Sequence, residues 1–210
     1  MLDGIICLGH NAIKFSKNNK VIYVDPYKIK DNYNDADIIF ITHNHYDHFS
    51  KEDILKVKKD STKIVITEDL YSDTLELGFK DLDIMKVIPN NNYSFADINF
   101  STIRSYNTNK EFHPKENNWV GYKFLFDNYT YYVVGDSDIT EESKLVKCDV
   151  LFIPIGGVYT TDYKEAAELT NIINPKVVVP VHYGVIVGEK EYASMFKKLV
   201  NSSIKCEIMY

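Results

Sequence analysis

A short apolar segment that ends in a cluster of histidines and aspartates constrains this chain more than any other feature. Residues 38–41 are apolar and follow Asp35 and Asp37, as expected for a short buried strand. Three of the six histidines come directly after this strand, in the cluster His43, His45, Asp47 and His48. Open α/β sheets place their ligand-binding groups at the carboxyl ends of strands, so the cluster predicts a functional site.

The spacing of the cluster suits metal ions. His43 and His45 are two residues apart and point to the same side of an extended chain, whereas Asp47 and His48 follow at a turn and can address a second point. Imidazole nitrogens and carboxylate oxygens bind Zn²⁺, and two such ions lower the pKa of a shared water toward about 7. The alternatives are a solvated loop or a structural metal clip, although structural zinc sites usually use cysteine.

Strands and helices are predicted to alternate along much of the chain. Ser50 and Asp53 match a capping box, which predicts a helix from Ser50 to about residue 59. Further helices are predicted over 68–77, from Thr161 or Asp162 to 173, and over 189–199. Strands are predicted over 4–8, 12–15, 20–24, 63–66, 83–88, 120–126, 129–134, 148–153, 176–181 and 204–209, and one or two strands over 93–103.

The motif His43-x-His45-x-Asp47-His48 after an apolar strand resembles the signature of the metallo-β-lactamase superfamily. Other segments resemble its compact branch, which includes ascorbate-6-phosphate lactonase and N-acyl-phosphatidylethanolamine phospholipase D. These segments are 8–12 (LGHNA), 24–26 (VDP), 135–138 (GDSD), 154–157 (PIGG) and 180–184 (PVHYG). The resemblance implies an α/β (α+β) fold, a four-layer αββα sandwich of two mixed sheets flanked by helices, in one domain over residues 1–210.

The resemblance also implies a ligand set for two metal ions. The first ion takes His43 and His45, and its third ligand in the wider superfamily falls where this chain has Asn107. We favour His113 in the irregular loop 105–119 instead, because imidazole is a better metal donor than an amide. The second ion takes Asp47, His48 and His182. Asp136 bridges both ions; alone, its segment would be read as a turn and a helix cap.

A further group of residues is expected around these ligands. The resemblance places Asp25 behind the ligands, hydrogen-bonded to a histidine of the cluster, although alone it would be read as a strand-end turn. His10 lines the site or packs beside it. Tyr159 and Tyr183 are expected to face the substrate or to support the ligands, as Asn107 would if it is not a ligand.

Composition restricts the class of partner. The 210 residues carry a net charge of −6, which argues against a nucleic-acid surface, where a basic face is expected. The three cysteines are far apart in sequence and favour a reducing compartment. No basic leader and no apolar run near the roughly 20 residues of a membrane span is present, so we expect a cytoplasmic protein without a membrane span.

Taken together, the residues and the resemblance predict a metal-dependent hydrolase. A metal-bridging hydroxide would attack a small ester, lactone or phosphodiester, and Asp47 would steer the proton toward the leaving group. Two Zn²⁺ ions are the first expectation, and Mn²⁺ and Fe²⁺ also fit the ligand set. The partner is a small-molecule substrate, and a homo-oligomer is left open. The alternatives are a metal-binding scaffold or sensor without turnover, a nuclease or phosphodiesterase, and a redox di-iron protein.

Overall fold

Two mixed sheets form the centre of the molecule. The computed structural model describes all 210 residues. In the first sheet, neighbouring strands follow the order of the chain, antiparallel from β1 to β3 and parallel from β3 to β6. Its strands are β1 (Ile5–Gly9), β2 (Ala12–Lys17), β3 (Lys20–Val24), β4 (Ala36–Phe40), β5 (Lys58–Thr67) and β6 (Ile84–Val87).

The second sheet repeats this plan. Its strands are β7 (Asn92–Phe95), β8 (Ile98–Arg104), β9 (Val120–Phe126), β10 (Tyr129–Val133), β11 (Val150–Pro154), β12 (Val177–Val181) and β13 (Lys205–Cys206). They are antiparallel from β7 to β10 and parallel from β10 to β13. The helices are α1 (Lys51–Val57), α2 (Tyr71–Glu76), α3 (Glu141–Lys144), α4 (Tyr163–Ile173) and α5 (Glu191–Leu199). None of them is long and apolar enough to traverse a bilayer.

Buried apolar side chains fill three layers. Between the sheets, Phe15, Phe40 and Phe124 belong to a cluster to which both sheets contribute. A second cluster joins the first sheet to α1 through residues such as Ile54, and a third joins the second sheet to α4 and α5 through residues such as Leu169. This αββα arrangement of two mixed sheets confirms the predicted fold.

From Ile38 onward, strand β4 is apolar without interruption because both of its faces are buried. Ile38 and Phe40 point between the sheets, whereas Ile39 points toward α1 and α2. Successive side chains of a strand face opposite sides, and both sides of β4 are covered. Every position in 38–41 is therefore fully buried.

Several element boundaries differ from prediction. Helix α1 ends at Val57 rather than near residue 59, because Lys58 already pairs with Ala36 in the parallel ladder and the Thr62 hydroxyl donates to the Ala36 carbonyl. Strand pairing thus overrides the local helical pattern. The last strand is limited to Lys205–Cys206, and the short helix α3 was not predicted.

A methyl group at Gly121 should strain the second sheet. An ideal Cβ there would lie 2.5 Å from the Val134 carbonyl oxygen and 2.8 Å from that of Val133. Because both contacts are with backbone, we expect Gly121→Ala to lower the free energy of unfolding by about 1–3 kcal/mol. Urea unfolding measures this, with Lys123→Ala on the same strand as the control. Equal midpoints for the two variants would contradict the expected clash.

The carboxylate of Asp149 should make stability depend on pH. It accepts hydrogen bonds from the Thr130 amide and hydroxyl, both at 2.9 Å, and pairs with Lys176 at 2.8 Å. The Lys176 ammonium and the Thr130 donors lower the pKa of Asp149 to about 2 from its usual 3.8. This stabilisation is present above the unfolded-state pKa and is lost as pH falls through the folded-state pKa.

We therefore expect Asp149→Asn to cost about 1 kcal/mol at pH 7 and progressively less between pH 4 and pH 2. Denaturant midpoints measured across that range test the trend, with the exposed Asp60→Asn as the control. A difference from wild type that stays constant across the range would contradict the assigned role of the charge.

Candidate metal centre

Both sheets contribute side chains to one buried cluster at the edge where their parallel strands end. The first sheet provides His10 from the β1–β2 turn, Asp25 after β3, and His43, His45, Asp47 and His48 after β4. The second sheet provides His113 from the β8–β9 loop, Asp136 after β10 and His182 after β12. Parallel strands bring their carboxyl ends to the same edge, so residues more than 130 positions apart in sequence meet here.

The backbone around the cluster adopts conformations that most residues avoid. His10, Asp25 and His182 have φ values of 54°, 44° and 57°, in the left-handed region. Gly135 has φ 70°, and a Cβ at this position would lie 3.2 Å from the Thr42 side chain. A glycine therefore lets the segment that carries Asp136 approach the β4 segment closely.

Three histidines form the first part of the cluster. One ring nitrogen from each of His43, His45 and His113 lies within 4.8 Å of the others. Nδ1 of His113 donates to Oδ1 of Asn107 at 3.0 Å, and Nδ1 of His43 lies 2.9 Å from the Thr42 hydroxyl, which donates to Asp25. These bonds direct the unprotonated Nε2 atoms of His43 and His113 into the cluster.

Asp25 organises the second part. It is fully buried and accepts hydrogen bonds from the Thr42 amide at 2.8 Å, and from the Thr42 hydroxyl, Asn11 Nδ2 and His48 Nδ1 at 2.7 Å each. A carboxylate at Nδ1 makes that nitrogen the hydrogen-bond donor and orients Nε2 of His48 toward the cluster, where it can take a proton or a metal ion. This Nε2 faces the cluster, 3.2 Å from Asp136 Oδ1.

Asp136 lies between the two parts. Its Oδ2 atom is 3.0 Å from His182 Nε2 and 3.5 Å from His113 Nε2, while its Oδ1 atom faces His48. The carboxylate thus touches histidines of both parts. A two-oxygen anion in this position is suited to contacting two cations at once.

Asp47 and His10 complete the cluster. Asp47 Oδ2 accepts a hydrogen bond from His10 Nε2 at 2.9 Å and lies 3.8 Å from His48 Nε2 and 3.9 Å from His182 Nε2. The His10 and His182 rings pack with their centroids 3.7 Å apart. His10, Asp47, His48 and His182 form a second group whose donor atoms lie within 4.8 Å of one another.

Burial keeps several of these imidazoles neutral. It lowers the pKa of His43 well below its usual range, and it lowers the pKa values of His10 and His113 to about 4. The pKa of His45 is lowered for the same reason. A neutral imidazole offers the lone pair that a metal ion needs, so these side chains are ready to act as donors at pH 7.

The centre also holds ionised carboxylates that demand positive charge. Burial opposes ionisation of Asp136, yet the neighbouring His182 and His48 hold its pKa well below the usual range. Burial likewise opposes ionisation of Asp47, but the hydrogen bond from His10 and the charge of His48 hold its pKa at about 2. Burial disfavours a charged His48, but Asp136 and Asp25 raise its pKa well above the usual range, so Nε2 holds a proton that a bound cation would replace. The pocket therefore favours cationic species.

The donor atoms fit divalent metal ions. Several buried atoms that face the cluster have no hydrogen-bond partner: Nε2 of His43, His48, His113 and His182, and Oδ1 of Asp136. Leaving such an atom unpaired costs about 1–3 kcal/mol. Cations that accept these lone pairs would remove the cost, and nitrogen with carboxylate oxygen is a donor set that Zn²⁺, Mn²⁺ and Fe²⁺ accept.

Comparison with known proteins agrees with this geometry. A family model described as the beta-lactamase superfamily domain matches residues 4–182. The chain belongs to the metallo-β-lactamase superfamily. A UPF0173 metal-dependent hydrolase from Saccharolobus solfataricus is 30% identical over 210 residues, which cover 93% of this chain and 90% of the relative.

Solved structures of proteins named as metal-dependent or metallo hydrolases share the fold. A provisionally named metal-dependent hydrolase from Parabacteroides distasonis is 27% identical and superposes with a TM-score of 0.81, covering 98% of this chain and 91% of that one. Igni18, a metallo hydrolase from Ignicoccus hospitalis, is 23% identical with a TM-score of 0.78, covering 98% and 94%. The superfamily predicted from sequence is confirmed, whereas the narrower likeness to the lactonase and phospholipase D branch stays a prediction.

The structure distinguishes the positions of His113 and Asn107, which sequence left as competing ligands within the metallo-β-lactamase pattern. His113 enters the cluster, and Asn107 lies behind it. The Asn107 side-chain oxygen accepts from both the backbone amide and Nδ1 of His113, while its Nδ2 donates to the Tyr159 carbonyl at 2.9 Å. Asn107 therefore orients the imidazole.

Tyr183 lies in the core behind the centre. Its side chain is buried, stacks on Tyr210 with ring centroids 4.9 Å apart, and donates to the Tyr210 carbonyl at 3.1 Å. Tyr210 in turn donates from its hydroxyl to the His10 carbonyl at 2.8 Å. Tyr183 thus packs in the core, next to the left-handed backbone at His182, and its supporting role stays a prediction. Tyr159 does line a cavity beside the centre.

The predicted set of site residues leaves out several residues around the cluster. Thr42 holds Asp25 and His43, and Asn11 holds Asp25. Trp119 packs against His43 and His45, with ring centroids 5.0 and 4.9 Å away. A hydroxyl directly before the first motif histidine was an available signal for Thr42, whereas the contacts of Trp119 carry no local sequence signal.

Substitutions of His113 and Asn107 should differ in their effect on metal binding. We expect His113→Ala to weaken zinc binding more than Asn107→Ala does, because the first variant removes a donor and the second removes only its support. Loss of such support typically costs 10–100-fold in metal affinity. Titration calorimetry with Zn²⁺ measures both, and the exposed Asn109→Ala in the same loop is the control. The reverse order would show that Asn107 is the ligand.

Proposed function

We propose that this protein is a hydrolase that uses two divalent metal ions, with zinc as the first choice, on a small ester, lactone or phosphodiester. The observation that carries this proposal is the convergence of buried, unpartnered nitrogen and carboxylate donors from both sheets. The Saccharolobus relative and the Parabacteroides structure, both named for metal-dependent hydrolysis, support the same reaction class.

The donors divide into two sets. His43, His45 and His113 would hold one ion, and Asp47, His48 and His182 would hold the other, with Asp136 shared between them. The ions, when bound, would lower the pKa of water so that hydroxide is available near neutral pH, and would polarise the substrate oxygen. Two metal ions and their identity are part of the proposal.

The chain's own residues position these groups and move the proton. Asp25 holds the tautomer of His48, and His10 holds the Asp47 carboxylate in place. In ester hydrolysis, the water oxygen bonds to the acyl carbon and the bond to the leaving oxygen breaks. We assign Asp47, which lines the adjacent cavity, to carry the proton from water to that leaving oxygen.

The cysteines support attack by water over a protein nucleophile. Burial raises the pKa values of Cys7 and Cys148 to about 12 and that of Cys206 to about 11, so all three are thiols at pH 7. None belongs to the groups that could hold a metal ion. Unactivated thiols are poor nucleophiles, and a covalent cysteine intermediate is not part of the mechanism. Free cysteines also support the proposed cytoplasmic location.

Metal removal and one substitution test the proposed metal-dependent hydrolase activity. We expect chelation to abolish turnover of simple esters, lactones and bis(4-nitrophenyl) phosphate, and added Zn²⁺ or Mn²⁺ to restore it. Asp47→Ala should lower kcat at least 100-fold because it removes both a ligand and the proton carrier. The exposed Asp97→Ala is the control.

Metal analysis of each variant accompanies the kinetics. Turnover that survives both chelation and Asp47→Ala would overturn the mechanism. Stoichiometric metal without turnover of any substrate in the screen would instead favour a metal-binding scaffold or sensor.

A further inference from the structure

A cavity of about 270 Å³ opens directly beside the proposed metal centre. Three residues of the centre line one side of the cavity: His45, Asp47 and Asp136. Its other walls come from Tyr46, Phe112, Tyr159 and Ile186. These four residues lie in four separate loops, so the chain builds the cavity from several segments. A concave site next to reactive groups is where a substrate binds.

The walls outside the centre are apolar and accessible. Tyr46 is 66% exposed and Phe112 is 48% exposed, and Val158 and Val185, near the walls in sequence, are also exposed. The Phe112 ring packs edge-on against Tyr159 with centroids 4.6 Å apart. Accessible apolar side chains gathered at one opening mark a surface that binds apolar groups.

Positive charge is missing from the same walls. No lysine or arginine lines the cavity. Lys110, on the loop that carries Phe112, is paired with Asp138, and Lys51, which follows the motif, is paired with Asp73 and Glu76. A phosphate or carboxylate placed away from the reacting bond would therefore lose its water without gaining a cationic partner, which is unfavourable.

We infer that the substrate of this hydrolase carries an uncharged alkyl or aryl group that occupies this cavity, and has no anionic group away from the reacting bond. The inference rests on the proposed function and narrows it. It separates apolar esters and lactones from sugar phosphates and other substrates with a remote charge.

A matched pair of esters tests the inference. 4-Nitrophenyl butyrate and mono-4-nitrophenyl succinate share the reacting bond and chain length, and differ by a terminal methyl against a carboxylate. With zinc-loaded protein, we expect kcat/KM to be at least tenfold higher for the butyrate, after correction for the rates in buffer. An equal or higher value for the succinate would overturn the inference while leaving the hydrolase function intact.

Binding without turnover provides a second measurement. Butyranilide and succinanilic acid are the corresponding amides, and their affinities for metal-free protein can be measured by NMR titration. We expect the neutral amide to bind at least tenfold more tightly. Preference for the acid would overturn the inference. Failure of the zinc-loaded protein to hydrolyse either ester or bis(4-nitrophenyl) phosphate would overturn the proposed function and the inference with it.

Substitutions in the cavity wall test whether this cavity causes the preference for the butyrate over the succinate. Ile186→Ala should lower kcat/KM for the butyrate about three- to tenfold, and Ile186→Lys should narrow or reverse the preference between the two esters. Leu82→Ala removes an exposed leucine that is outside the cavity and should change neither value. Metal content is measured for each variant. A preference that Ile186→Lys leaves unchanged would show that another surface selects the substrate.

Discussion

The rest of the centre depends on the hydrogen bonds that the buried carboxylate of Asp25 accepts. It has no solvent contact, and a lone charge in that position would be strongly unfavourable. Four donors from Asn11, Thr42 and His48 surround it and make it tolerable. The same bonds join the β1–β2 turn, the end of β3 and the segment after β4. The hydrogen bonds that stabilise one buried charge therefore also fix the geometry of the histidine motif.

The fold tolerates such a polar centre because the apolar layers that stabilise the fold are independent of it. The inter-sheet cluster and the two helix-facing clusters bury the side chains of the strands, whereas the polar cluster occupies only the edge where those strands end. Left-handed backbone at His10, Asp25 and His182 lies at the same edge. Strained conformations persist where the surrounding structure determines them, and they are common at functional sites.

Sequence predicted those parts of the molecule that local pattern controls. The apolar run of β4 and the spacing of His43, His45 and His48 gave the position of the centre, and the fold followed from the family resemblance. The contacts of His113 depend on the path of a loop without apolar periodicity, so sequence alone left Asn107 as a competitor. The orientation of Tyr183 depends on a backbone conformation at His182 that no residue type signals. The cavity walls come from distant loops and have no common sequence pattern.

The division of donors between the two sheets has a mechanical consequence. His43, His45 and His48 belong to the first sheet, whereas His113, Asp136 and His182 belong to the second. Any ion that binds both groups ties the halves of the sandwich together at one rim and stabilises the folded chain by mass action. The opposite rim is held by apolar packing and by surface contacts such as that of Lys17 with Asp127. Exposed ion pairs contribute little, so with ions bound, thermal opening would begin at that rim and reach the reactive rim last.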